Sequence, residues 1–168
     1  MKKILLAILF TIFGFSNLSS ETKINTIYEG NIDAKIQLIV YESLTCGHCA
    51  NFHNNVYPDL KKDFIDTGLL KIEFRNFPLD LAAFNASKIA HCKNDGNSNI
   101  LHFLFQNQNI WAKGDSIEQF NSNLKKIINK KNFGIDFNKC LNNKKIEDHV
   151  LNDRIEGTKK FNINATPT

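Results

Sequence analysis

"KIQLIVYESLTCGHCANFHNNVYPDLKKDFIDTGLLKIEFRNF" runs from Lys35 to Phe77 and sets the architecture of the chain. Lys35 to Ser43 is β-rich, with apolar Ile36, Leu38 and Val40 in alternation, and predicts a largely buried strand. Ala50, Phe52, Val56, Leu60 and Phe64 then recur at helical spacing. Pro58 predicts a kink inside that helix, and Gly68 closes it. Leu69 to Phe77 predicts a second strand. Strand, turn, helix and strand make a βαβ unit, whose crossover is expected to be right-handed.

Beyond this unit, Leu79 to Lys160 reads as almost wholly helical. Ala82, Ala86, Ile89 and Ala90 form one apolar stripe; Ile100, Leu101, Leu104 and Phe105 form another. Asp115 reads as an N-cap with Glu118 at the capping-box position, followed by Ile117, Phe120, Leu124 and Ile127. Gly134 is expected to end that helix. Phe137, Cys140 and Leu141 mark a short turn, and a last helix runs through Ile146, Val150 and Ile155. Trp111 and the phenylalanines read as core. The fold class is α/β, with a large helical block placed after a βαβ framework.

At 168 residues the chain has room for one domain with a sizeable core. "MKKILLAILFTIFGFSNLSS" has two lysines, an uncharged apolar run from Ile4 to Phe15 and small polar residues, the pattern of a bacterial signal peptide. The run is shorter than the roughly 20 residues of a membrane span. The expected destination is the periplasm. The formal charge of +4 falls to roughly +2 once Lys2 and Lys3 are removed with the signal. Lys125, Lys126, Lys130 and Lys131 read as the solvated side of a helix, so no nucleic-acid footprint is assigned.

Cys46 and Cys49 enclose Gly47-His48. An inert disulfide across so short a loop would stabilise poorly, because it removes little chain entropy. A closed zinc site needs four ligands, and Cys92 and Cys140 stand alone, although His53 and His91 lie near cysteines. A redox pair is the reading that position favours. Cys46 would sit at a helix N-terminus, where free N–H groups and the helix dipole favour a thiolate, and His48 can add a positive charge. Cys49, one turn in, would be the resolving thiol. Glu42 shares a strand face with Val40. If that face lies beneath the cysteines, Glu42 can act as a proton relay to Cys49; a strand-end carboxylate in water is the plainer reading. His53 reads as an ordinary helix residue, and His102 and His149 are given no role. Four cysteines in an exported chain fit two pairs.

The segments "GNIDAKIQLIVYESLTCGHCANFHNNVYPDLKKDFIDTG", "FRNFPLD" and "NATPT" together resemble the DsbA family of periplasmic thiol-disulfide oxidoreductases. The resemblance implies a thioredoxin fold interrupted by a helical insert. Its parts would be a signal peptide over 1–20, a first thioredoxin segment over 21–78, the insert over 79–160 and a return over 161–168. It also implies that Pro167 is a cis-proline opposite the CxxC, with Thr166 tuning reactivity and pairing with substrate backbone. Cys92 and Cys140 resemble a second, structural disulfide that some relatives carry. The family continues past Thr-Pro-Thr with a strand pair and a helix, so this sequence is expected to be a fragment. Two further departures stand out. Gly-His replaces the usual Pro-His, which points to a potential between about −180 and −120 mV. The acid often found six residues before the first cysteine is Val40 here.

What the resemblance implies is a monomeric dithiol oxidase acting on reduced, unfolded exported proteins and reoxidised by a membrane partner resembling DsbB. Sulfur carries that chemistry, so neither organic cofactor nor metal is expected. A reductase or isomerase of the same fold is one alternative. A non-enzymatic zinc-binding or interaction domain is the other.

Overall fold

The computed structural model describes residues 23–168; the expected signal peptide lies outside them. Strands β1 (Ile27–Glu29), β2 (Ile36–Glu42) and β3 (Leu70–Asn76) form one sheet in the order β1-β3-β2. β2 and β3 run parallel, with Val40 opposite Phe74 and Glu42 opposite Asn76. β1, which the sequence reading did not assign, pairs antiparallel with β3. Central β3 buries Leu70, Ile72 and Phe74. On β2 only Val40, Tyr41 and Glu42 are buried, while Ile36 and Ile39 stay exposed. The expected burial thus holds only for the end of the strand that leads into the cysteines, and β2 as a whole is an outer strand of the sheet. There Tyr41 and Thr168 exchange two main-chain hydrogen bonds of 2.7 and 3.1 Å.

The helix after β2 consists of α1 (Gly47–Asn51), a π-helical turn (Phe52–Val56), α2 (Tyr57–Leu60) and a second π-helical turn (Lys61–Ile65). Pro58 stands in the first turn of α2, directly after the first π turn. The irregularity predicted at the proline takes the form of these wide turns. They also rotate the buried face. Cys49, His53, Tyr57 and Ile65 point inward, while Val56 and Phe64 of the predicted stripe are exposed.

Six helices follow: α3 (Leu81–Ala90), α4 (Asn99–Gln106), α5 (Gln108–Trp111), α6 (Ile117–Lys131), α7 (Phe137–Leu141) and α8 (Lys144–Phe161). Asp80 caps α3, accepting from the Ala83 N–H at 2.7 Å. The cap of α6 is Ser116, one residue beyond the predicted Asp115. Ser116 Oγ accepts from Gln119 N–H, and Gln119 Oε1 accepts in turn from Asp115 N–H. Asn132 in the left-handed region, and not Gly134, ends α6. Sheet and helices share one core, in which Leu44, Ile72 and Phe74 meet Ile89, Leu104, Trp111, Leu124 and Ile128. α8 passes so close to β2 that a Cβ at Gly157 would lie 2.8 Å from the Tyr41 ring. Among the described residues no helix is long and apolar enough to cross a membrane.

Candidate active site

The end of β2 delivers the chain into the turn Ser43–Cys46, and Cys46 is the N-cap of α1. Its backbone is extended, and its Sγ accepts from the Cys49 N–H at 3.4 Å, so sulfur takes the place usually held by a capping oxygen. From the far end of the sequence, Thr166 comes up against the same sulfur, with Cys46 Sγ 3.4 Å from Thr166 O. The Thr166–Pro167 peptide is cis. Both cysteines are free thiols, Cys46 partly exposed and Cys49 fully buried.

Burial works against a thiolate at Cys46. The Thr166 side chain and the main-chain N–H groups of Cys49 and His48 outweigh it and hold the Cys46 thiol below its ordinary value. Burial dominates at Cys49 and pushes its thiol up to about 12. The two sulfurs are therefore unlike: one is reachable and ready to ionise, the other is withdrawn and held as a thiol. His48 itself is exposed, and its contact with the sulfur is through its backbone.

Two contacts that hold the turn were not anticipated from sequence. Thr45 Oγ1 donates to Asp80 Oδ2 at 2.7 Å, tying the turn to the start of α3. Gln108 Nε2 donates to Leu44 O at 2.9 Å and to Cys46 O at 3.0 Å. Asp80 carried a sequence signal as the cap in "FPLD"; Gln108 carried none.

Glu42 is buried, which overturns the plainer reading of a solvated carboxylate, and its Oε2 lies 2.6 Å from His53 Nε2. His53 and His102, read as roleless, are in contact with each other, Nδ1 to Nδ1, at 2.9 Å. Cys92 and Cys140 are bonded to each other, Cα to Cα 5.3 Å, across 48 residues. Among the described residues no cluster of His, Cys, Asp and Glu is arranged to hold a metal ion.

The thioredoxin family model matches residues 22–168. The crystal structure of Wolbachia pipientis alpha-DsbA1 is similar with a TM-score of 0.76 and 37% identity, covering 85% of this chain and 72% of that one. The chain is a DsbA-like member of the thioredoxin family. The fold, a thioredoxin framework with a helical insertion, is the one expected from sequence. BdbD from Bacillus subtilis, at 22% identity and a TM-score of 0.68, covers 88% of this chain and 85% of its own, and supports the fold alone. A Rickettsia bellii protein named for protein-disulfide oxidoreductase activity is 28% identical over 157 residues. Those residues are 86% of this DsbA-like chain but 59% of the Rickettsia protein.

Proposed function

We propose that this protein is a thiol-disulfide oxidoreductase, working as a dithiol oxidase that introduces disulfides into exported proteins. The observation that carries the reading is the asymmetry of the two sulfurs. A low-lying thiolate at Cys46 stabilises the reduced form, and a stable reduced form makes the Cys46–Cys49 disulfide a strong oxidant. A substrate thiolate would attack Cys46, breaking the Cys46–Cys49 bond and forming a mixed disulfide beside Thr166 and Pro167. A second substrate thiolate would then attack the substrate sulfur, releasing Cys46 as thiolate and leaving two electrons on the pair. Glu42 is the carboxylate we assign to exchange the Cys49 proton.

Substrates on this reading are reduced, unfolded proteins, and reoxidation falls to a membrane partner resembling DsbB. The periplasm is the proposed site of action. The signal-like N-terminus supports that location, as does the Cys92–Cys140 disulfide, which belongs in an oxidising compartment. The names of the Wolbachia and Rickettsia relatives support the activity.

The potential of the Cys46–Cys49 pair tests the direction of transfer. Glutathione-buffered equilibration followed by alkylation and mass measurement reads it. A value at or above about −180 mV is expected of an oxidase, and one near −270 mV turns the assignment to a reductase. A protein in which no dithiol titrates is not an oxidoreductase.

A further inference from the structure

We infer that Glu42, His53, His102 and Glu29 form a single proton wire that carries the Cys49 proton between the interior and a solvent cleft on the insert side. The inference rests on the oxidoreductase reading above and extends it to three residues outside the cysteine motif.

Three contacts join the four side chains end to end: Glu42 Oε2 to His53 Nε2 at 2.6 Å, His53 Nδ1 to His102 Nδ1 at 2.9 Å, and His102 Nε2 to Glu29 Oε1 at 2.6 Å. Each joins two atoms that can both accept, so each must hold one proton to be a hydrogen bond. Two neutral imidazoles supply only two protons. The third makes one ring cationic or sits on a carboxylate. These arrangements interconvert by moving protons across their own hydrogen bonds, so a surplus proton passes from Glu42 to Glu29 with no side chain moving.

The chain has a dry end and a wet end. The side chains of His53 and Glu42 are 1% and 4% exposed, against 16% and 18% for His102 and Glu29. Glu42 Oε1 has no hydrogen-bond partner among the described residues and is the free acceptor at the inner end. His53 follows Cys49 by about one helical turn on the same buried face. At the outer end Glu29 also bonds Tyr57 and Ser98, and Lys61 Nζ lies 4.0 Å from it. Glu29, Tyr57, Lys61, Ser98 and His102 line a cleft of about 720 Å³. The rings are held for transfer: His53 stacks on Phe105 with centroids 4.0 Å apart, and His102 on Tyr57 at 4.4 Å. Burial opposes a charge on Glu29. Its hydrogen bonds from His102, Ser98 and Tyr57 prevail and hold its carboxyl at about 2, which suits the end that releases protons.

The step that needs the wire is closure of the Cys46–Cys49 bond during reoxidation. With glutathione disulfide as the oxidant, Cys46 thiolate first forms a mixed disulfide and expels one glutathione thiolate. Cys49 then gives its proton to Glu42, and its sulfur attacks Cys46 Sγ. The bond from Cys46 to glutathione breaks, and the second glutathione leaves as thiolate with the electron pair. The proton passes through His53 and His102 to Glu29 and into the cleft water.

Rapid mixing of the reduced protein with glutathione disulfide, acid quench and mass measurement separates the first attack from closure. In His102→Ala the ratio of closure to first attack is expected to fall on the order of tenfold, below the roughly 10²–10⁴ of a direct general base. Free imidazole, admitted through the cleft, is expected to restore it. An unchanged ratio overturns the wire, and so does a fall that imidazole leaves unrestored. If His102→Ala does not fold, His102→Gln decides: it keeps a hydrogen-bonding side chain that cannot relay a proton, and its ratio must fall for the wire to stand. A wild-type protein that forms no mixed disulfide at all overturns the oxidoreductase reading, and the wire with it.

Discussion

The chain holds two cysteine pairs that differ in nearly every physical respect. Cys46 and Cys49 are three positions apart on one helix end, with free thiols, the main-chain N–H groups of Cys49 and His48 against one sulfur and a buried partner behind it. Cys92 and Cys140 are 48 residues apart, in the turn that follows α3 and within α7, and are bonded. Closing the long loop removes much chain entropy and stabilises the fold; closing the short one removes almost none. What the short pair has in exchange is a helix N-terminus that favours the reduced form. On the proposed function, surroundings and loop length, and not the residue type, separate the pair that holds from the pair that exchanges.

Replacing Cys92 and Cys140 together by alanine tests that division most severely. The expected loss is up to about 4 kcal/mol in urea unfolding, with the potential of the Cys46–Cys49 pair unchanged. A shift in that potential would show that the two pairs are not independent.

Glu29→Gln probes the polar ground on the redox side. The folded carboxyl lies at about 2 against an ordinary 4.5. Its contribution is therefore full above pH 4.5 and is lost as pH falls through 2. Removing it is expected to cost on the order of 2–3 kcal/mol at neutral pH. In unfolding series from pH 7 down to pH 2 the gap between wild type and variant should close; a constant gap would assign the loss to packing. Asp80→Ala gives the smallest effect, about 1 kcal/mol for a lost helix cap, read as a lower melting temperature. It also releases Thr45, so the Cys46 thiol should react with an alkylating agent at an altered rate.

The framework was legible because its signals are local. Alternation on β2, the CxxC at the strand–helix junction and the apolar stripes of the insert each lie within a short window. The rest depended on distant partners. The face of the helix over 47–65 was misread because the buried side carries His53 and Tyr57. Hydropathy counts these as polar; they go inside only because His102 and Glu29 wait there for them. The cap of α6 slipped by one residue because "DSIEQ" fits both Asp115 with Glu118 and Ser116 with Gln119. β1 has three residues, too few for any period to show.

The amide of Gln108 has a consequence for the order in which the molecule is made. It lies 62 residues downstream of Cys46 and 64 downstream of Leu44, and it holds both of their carbonyls. A chain that folds from its N-terminus therefore presents the two thiols before the group that fixes their turn exists. The carbonyls of the turn are held only when the insert has packed against it, and the contact of Thr166 with Cys46 Sγ comes later still, so the full setting of the thiols waits for the whole fold.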